Sequence, residues 1–241
     1  MEKLKAENDK LRLTLQGRET ADAQLKQLKG VLNLAGTAGY KVVNAKVISQ
    51  GSSTSFTQTI TIDAGTSSGV HTNMTVLSGF GLVGVVKYAY TNSALVQLAS
   101  DPAFKIGARI AGTQQIGILS GQGTRKGVLQ LLDNTTQVRK GDALLARGSQ
   151  NGRPFVPGVP IGEVTSVDNS PGAVTQTADV KFYTNFSTLG VVAVVVSGSS
   201  ADPRDALVPP KPRPTPLPTV TIYATPGAVE PSPTPTPKPT K

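Results

Sequence analysis

Thirteen of the 18 prolines in this 241-residue chain stand at or after Pro203. Proline has no backbone N–H and a fixed φ, so a segment this rich in it fits neither a sheet ladder nor a helix interior. The chain is therefore not one globule from end to end. Residues 199–241 read as a disordered Pro/Thr-rich tail that favours polyproline II, and any core has to come from what precedes it.

Residues 1–35 read as a coiled-coil dimerisation helix. The stretch 2–35 contains no Pro and two glycines, Gly17 and Gly30. Leu4, Leu11, Leu25 and Leu32 are separated by multiples of seven, Arg18 fills the missing position, and Leu28 adds a neighbour three residues after Leu25. A broken heptad seam of this kind, flanked by Lys and Glu, predicts pairing with a second copy through Leu4, Leu11, Leu25, Leu28 and Leu32.

From Tyr40 the period changes to two. Thr59-Ile60-Thr61-Ile62 alternates polar and apolar, as does Asp179-Val180-Lys181-Phe182. About a dozen such short runs follow one another, with Gly, Asn, Asp or Ser in nearly every gap, and no amphipathic helix interrupts them. The fold class is thus mainly β: an N-terminal coiled-coil helix followed by two small antiparallel β-barrel subdomains. Gly84, Gly107, Gly117 and Gly162 suit the bends of small, strongly coiled barrels. A break near Gly112–Gln114 divides the region into a first barrel at 40–112 and a second at 113–198, with the question open whether the final strands return to the first.

Composition narrows the chemistry. There is no Cys, which excludes disulfides and thiolate sites, and the single His71 cannot build a multi-His metal centre. No metal or cofactor is expected. The net charge of +9 is spread along the chain without a basic run or interleaved aromatics, so nucleic acid is not expected either. The longest apolar run, Leu189–Val196, is far short of the roughly 20 residues of a membrane-spanning helix. Met1 leads straight into a charged helix, and the expectation is a membrane anchor upstream of it.

A two-barrel β chain invites a chymotrypsin-like reading, in which His, Asp and Ser follow in that order. His71, Asp101 and later serines have the order. The oxyanion-hole turn does not appear; Gly148-Ser149 comes nearest and lacks the preceding acid. Paired carboxylates for glycoside hydrolysis would have to come from Asp63, Asp101, Asp133, Asp142, Glu163, Asp168 and Asp179, several of which sit in turns as local backbone acceptors. Gly79-Phe-Gly-Leu-Val-Gly84 has dinucleotide-loop spacing but no following helix. No catalytic residue is assigned, and the chain is not expected to be an enzyme.

The order of parts, and several strings within it, resembles the bacterial rod shape-determining MreC family. Ile62-Asp-Ala-Gly-Thr-Ser-Ser-Gly-Val70 is similar to that family's turn after a strand, and Gly81-Leu-Val-Gly-Val-Val86 to its next strand. Asp101 stands where the family carries an acid. Gly141-Asp142 and Gly158-Val-Pro-Ile-Gly-Glu-Val164 resemble its later strand entry, and Leu28-Lys-Gly-Val-Leu-Asn-Leu34 the end of its coiled coil. The resemblance implies a non-enzymatic, membrane-tethered scaffold of the cell elongation machinery, single-pass, with this region on the extracytoplasmic side. It implies binding to MreD and, through the assembly, to MreB, RodA-type glycosyltransferases and class B penicillin-binding proteins, the last being biased toward an active arrangement. Partner contact is expected from apolar groups on turns: Phe155 and Val156 between two prolines, and Phe80 between two glycines. The other readings are a chymotrypsin-like serine hydrolase and a module that binds wall polymer through the basic surface.

Overall fold

The structure is a computed structural model. It describes residues 2–51, 57–123, 125–132, 138–168, 176–198, 203 and 206–209. The tail expected at 199–241 therefore lies almost wholly outside the described residues. Where it is described, Leu207 is buried against the core.

The single long helix α1 (Glu2–Ala38) runs three residues beyond the expected end. It leads into β1 (Lys41–Gln50), β2 (Thr59–Ile62), β3 (Thr75–Ser78), β4 (Gly81–Ala89), β5 (Ala94–Leu98) and β6 (Lys105–Ile110). Then come β7 (Ile116–Gly121), β8 (Lys126–Leu131), β9 (Ala143–Ala146), β10 (Pro160–Asp168), β11 (Thr177–Phe182) and β12 (Val191–Ser197). All strand pairs are antiparallel and close into two six-stranded barrels, in the orders β1-β12-β3-β4-β5-β2 and β10-β11-β8-β7-β6-β9. Closure leaves neither barrel a free edge to pair with another chain.

The boundary between the barrels is not at Gly112–Gln114. Those residues form the turn between β6 and β7, with Gln114 N donating to Ile110 O at 3.0 Å. Strand β6 pairs with β7 and β9 and belongs to the second barrel, so the first crossing lies between β5 and β6. The last strand alone returns: β12 pairs with β1 and β3, whereas β11 stays in the second barrel. The chain thus passes between barrels twice, at residues 99–104 and 183–190.

Alternation along the strands fills both interiors. Ile60, Ile62, Val76, Leu82, Val96 and Val194 close the first barrel, and Ile106, Leu119, Leu129, Leu144, Ile161 and Phe182 the second, each almost fully buried. Each such side chain contributes roughly 1.5–3 kcal/mol by leaving water. Of the four glycines read as barrel bends, three sit where a neighbouring strand passes close. A Cβ on Gly84, Gly117 or Gly162 would stand 1.9–2.6 Å from a backbone oxygen across the ladder. Gly107 has no such neighbour: the nearest atom to its Cβ would be 4.0 Å away.

Polar contacts lock the barrels to each other. On one side Thr75 Oγ1 donates to Pro154 O at 2.8 Å and accepts from Val156 N at 3.0 Å, and the Tyr40 hydroxyl donates to Pro157 O. Beside them a Cβ on Gly81 would stand 2.2 Å from Pro160 O, and Gly81 has φ +144. On the other side the Asp101 carboxylate, fully buried, accepts from Gln58 N at 2.6 Å and from Ala103 N at 2.7 Å. Buried polar groups paired this completely fix one arrangement, because breaking any one leaves a desolvated partner.

Candidate docking surface

The helix reaches the first barrel through small residues at helical spacing. Val31, Ala35 and Ala38 are buried, and Leu34 is partly so. The closest point is glycine on glycine: a Cβ on Gly79 would stand 2.9 Å from Gly30 Cα. Gln27, one turn earlier, ties the helix to the entry of β12. Its Oε1 accepts from Gly190 N at 3.2 Å and Val191 N at 2.9 Å, and its Nε2 donates to Thr188 O at 3.2 Å.

This anchoring fixes the β3–β4 turn. Ser78 Oγ donates to Gly81 O at 3.1 Å and accepts from Phe80 N at 3.3 Å. With its one proton so used, it accepts from Thr184 Oγ1 at 3.1 Å. The turn is held at both ends and carries Phe80 at its tip, 63% exposed. A large apolar ring on so constrained a turn has little entropy left to lose on binding.

The helix has a second apolar flank. Leu25 and Leu32 are about half exposed. They line up at roughly 140–160° around the helix from Gly30, at 100° per residue. Leu25 and Leu28 also line an apolar groove of about 420 Å³ against β1, together with Asn44, Lys46 and Asp63. The side chains of Leu4 and Leu11 lie outside the described residues.

Phe155 and Val156 do not stand on the surface, contrary to the expectation from their proline-flanked turn. Both are buried. The Phe155 ring meets Phe104 edge-on, with centroids 5.5 Å apart and planes at 75°. The loop between β9 and β10 is sandwiched into the barrel junction, so its apolar residues serve the core. Of the three expected contact residues, only Phe80 presents its side chain to solvent.

The groups considered for catalysis are not brought together. His71 is exposed in a turn, where its backbone N–H points at Met74 Sδ at 3.2 Å. Asp101 is held by backbone N–H groups and shares no hydrogen bond with it. Ser149 precedes a single 3₁₀ turn at 150–152. Asp142 accepts from the local backbone N–H of Arg139, whereas Asp63, just after β2, accepts from Lys46 N on the paired strand β1; Asp133 lies outside the described residues. Among those residues no group of three or more His, Asp or Glu is arranged to hold a metal. Tyr183, half-buried beside Glu163, is pushed up to about 12 by its burial and then by that carboxylate, and it stays protonated.

The glycine contact and the role of Gln27 are not among the expectations from the sequence. Gly30 in an otherwise unbroken helix was the available signal, since an interior helical glycine costs about 1 kcal/mol relative to Ala unless something packs there.

Comparison with known proteins follows the barrels. The family described as rod shape-determining protein MreC, barrel core, matches residues 47–196. The cell shape-determining protein MreC of Listeria monocytogenes is 30% identical over 186 residues, which is 75% of this chain and 62% of that protein. The chain thus spans under two thirds of this relative's length. A solved MreC structure superposes with a TM-score of 0.64 at 26% identity, over 73% of this chain and 98% of that one. A complex between penicillin-binding protein PBP2 and MreC from Helicobacter pylori contains a chain of the same fold, with a TM-score of 0.51 at 16% identity over 65% of this chain and 99% of that one. With the family profile lying across both barrels and the return strand, this chain belongs to the MreC family of rod shape-determining proteins.

Proposed function

We propose that the chain is the extracytoplasmic part of a membrane-tethered scaffold that maintains cell shape by docking and activating peptidoglycan synthases, with no bond-making chemistry of its own. Among the described residues no helix is long and apolar enough to cross a membrane. The observation that carries the reading is Phe80, exposed on a turn that is locked to both helix and barrel. The Helicobacter pylori complex, in which an MreC of this fold is bound to PBP2, supports a class B penicillin-binding protein as the partner. MreD, MreB and a RodA-type glycosyltransferase join through the same assembly. Activation is a population shift: the scaffold binds the active conformation of the synthase better than the inactive one. Phe80→Asp is expected to weaken binding to a class B penicillin-binding protein by about 30-fold or more, the effect of losing a hot-spot aromatic. Calorimetric titration checks it. An unchanged affinity would remove Phe80 from the interface.

The helix pairs with a second copy through its other flank. Leu25→Asp with Leu32→Asp is expected to convert a dimer to a monomer in sedimentation while the melting temperature of the barrels stays within a few degrees. The double variant keeps its affinity for the synthase, because Phe80 stands on the opposite side of the helix. A variant that remains dimeric assigns dimerisation elsewhere.

A further inference from the structure

The barrel junction holds a cleft of about 370 Å³ whose walls include Gln50, Gln58, Thr59, Ser100, Arg125 and Ser187. Its floor is a closed ring of hydrogen bonds. The Gln58 side-chain amide donates to Gly123 O at 2.5 Å, the Ser100 hydroxyl donates to Gln58 Oε1, and Gly123 N donates to Ser100 O at 2.6 Å. Asp101, the acid nearest this floor in sequence, is fully buried with its two oxygens on Gln58 N and Ala103 N. The described walls contain no carboxylate. They contain one cation, Arg125, which is exposed and makes no ion pair among the described residues. Leu98 and Phe186 are the apolar side chains among the described walls.

A guanidinium that meets no carboxylate among the described walls, and is accompanied there by neutral amides and hydroxyls, selects a ligand with one anionic end and a neutral body. Arginine's fork of donors matches a carboxylate in two parallel hydrogen bonds. The volume is at the small end of ligand sites, enough for a few small residues. We infer that this cleft binds a short, otherwise neutral peptide by its terminal carboxylate, which pairs with Arg125 while the peptide body lies along Gln50, Thr59 and Ser187. Gln58 and Thr59 stand in the first barrel and Arg125 in the second, so the occupant bridges the two. Binding that requires both in place stabilises the junction.

The test is an NMR titration of the full chain with N-acetyl-tri-alanine as the free acid, with its C-terminal amide, and with inorganic phosphate. The free acid is expected to shift the backbone amides of Gln58, Thr59, Gly123 and Arg125 saturably. The amide and phosphate bind at least 10-fold more weakly. Arg125→Gln, which melts at the same temperature as the unaltered chain, loses at least 10-fold in affinity for the acid and is unchanged toward the amide. Absence of saturable shifts, equal binding of acid and amide, phosphate binding as tightly as the tripeptide, or full binding by Arg125→Gln would each overturn the assignment.

Discussion

Phe155→Ala is expected to lower the stability of the folded chain by about 3–5 kcal/mol, the cost of deleting a large buried aromatic whose site cannot collapse. In a domain of this size that corresponds to a fall in melting temperature of roughly 6–20 °C. The ring is buried at the barrel junction and stacks edge-on with Phe104, which immediately precedes β6. The neighbouring backbone is tied to Thr75 of the first barrel through Pro154 O and Val156 N. Removing the ring therefore loosens two elements at once: the β9–β10 loop and the crossing at residues 99–104. Phe155→Asp is expected to be worse, because it places a carboxylate in a buried, apolar site. Thermal and denaturant melts check both. An alanine variant that melts within 2 °C of the unaltered chain would show that the junction does not rely on this contact. Any loss of partner binding by either variant is expected to follow from the damaged fold, since Phe155 is buried.

Gly81→Ala is expected to cost at least about 3 kcal/mol. Two effects combine. Gly81 has φ +144, a backbone conformation that side-chain-bearing residues rarely adopt, and its Cβ would stand 2.2 Å from Pro160 O. The obstructing atom is backbone of β10, so relief requires the barrels to move apart. The variant should melt at a lower temperature and, at temperatures where it is folded, show altered amide signals on both sides of the junction, at Ser78–Leu82 and at Val159–Gly162. Shifts confined to the first group would mean that the barrels are not in contact there.

Much of this architecture was open to sequence reasoning, and the parts that were not share a cause. The strands announce themselves because one face of each is buried and the other is not: Thr59-Ile60-Thr61-Ile62 alternates half-exposed and buried as its sequence does. Glycines mark the turns, so the strand inventory from Lys41 to Ser197 is local information. Strand order is not. Gly112–Gln114 has the composition of a break, with Gly112 and Gln114 both at positive φ, yet it is an ordinary hairpin turn inside the second barrel. The true crossing, at Ser100-Asp101-Pro102, is marked only by an acid that folds back onto Ala103 N, a device common to any turn. The return of β12 was undecidable from the sequence, because pairing between β1 and β12 joins residues about 150 apart.

Burial of loops was the other illegible quantity. Phe80 lies between two glycines and Phe155-Val156 between two prolines, so both read as apolar groups on turns. One is exposed on a hairpin tip, and the other is enclosed because two barrels meet over it. Leu25 and Leu32, read from the sequence as part of a pairing seam, stand about half exposed. The inward face was less legible, because it is built from Gly30, Ala35 and Ala38, small residues that carry little hydrophobic signal yet allow the closest approach.

Presentation of a surface and reaction at a site predict different effects on cell shape. The measurement is cell width and length in the protein's own host, with substitutions placed in the chromosomal gene. His71→Ala combined with Ser149→Ala is predicted to leave the cells with unaltered dimensions. Phe80→Asp, expressed at the same level and melting at the same temperature, is predicted to give wide, rounded cells. Rounding by the His71→Ala, Ser149→Ala pair, or normal rods with Phe80→Asp, would contradict the scaffold reading.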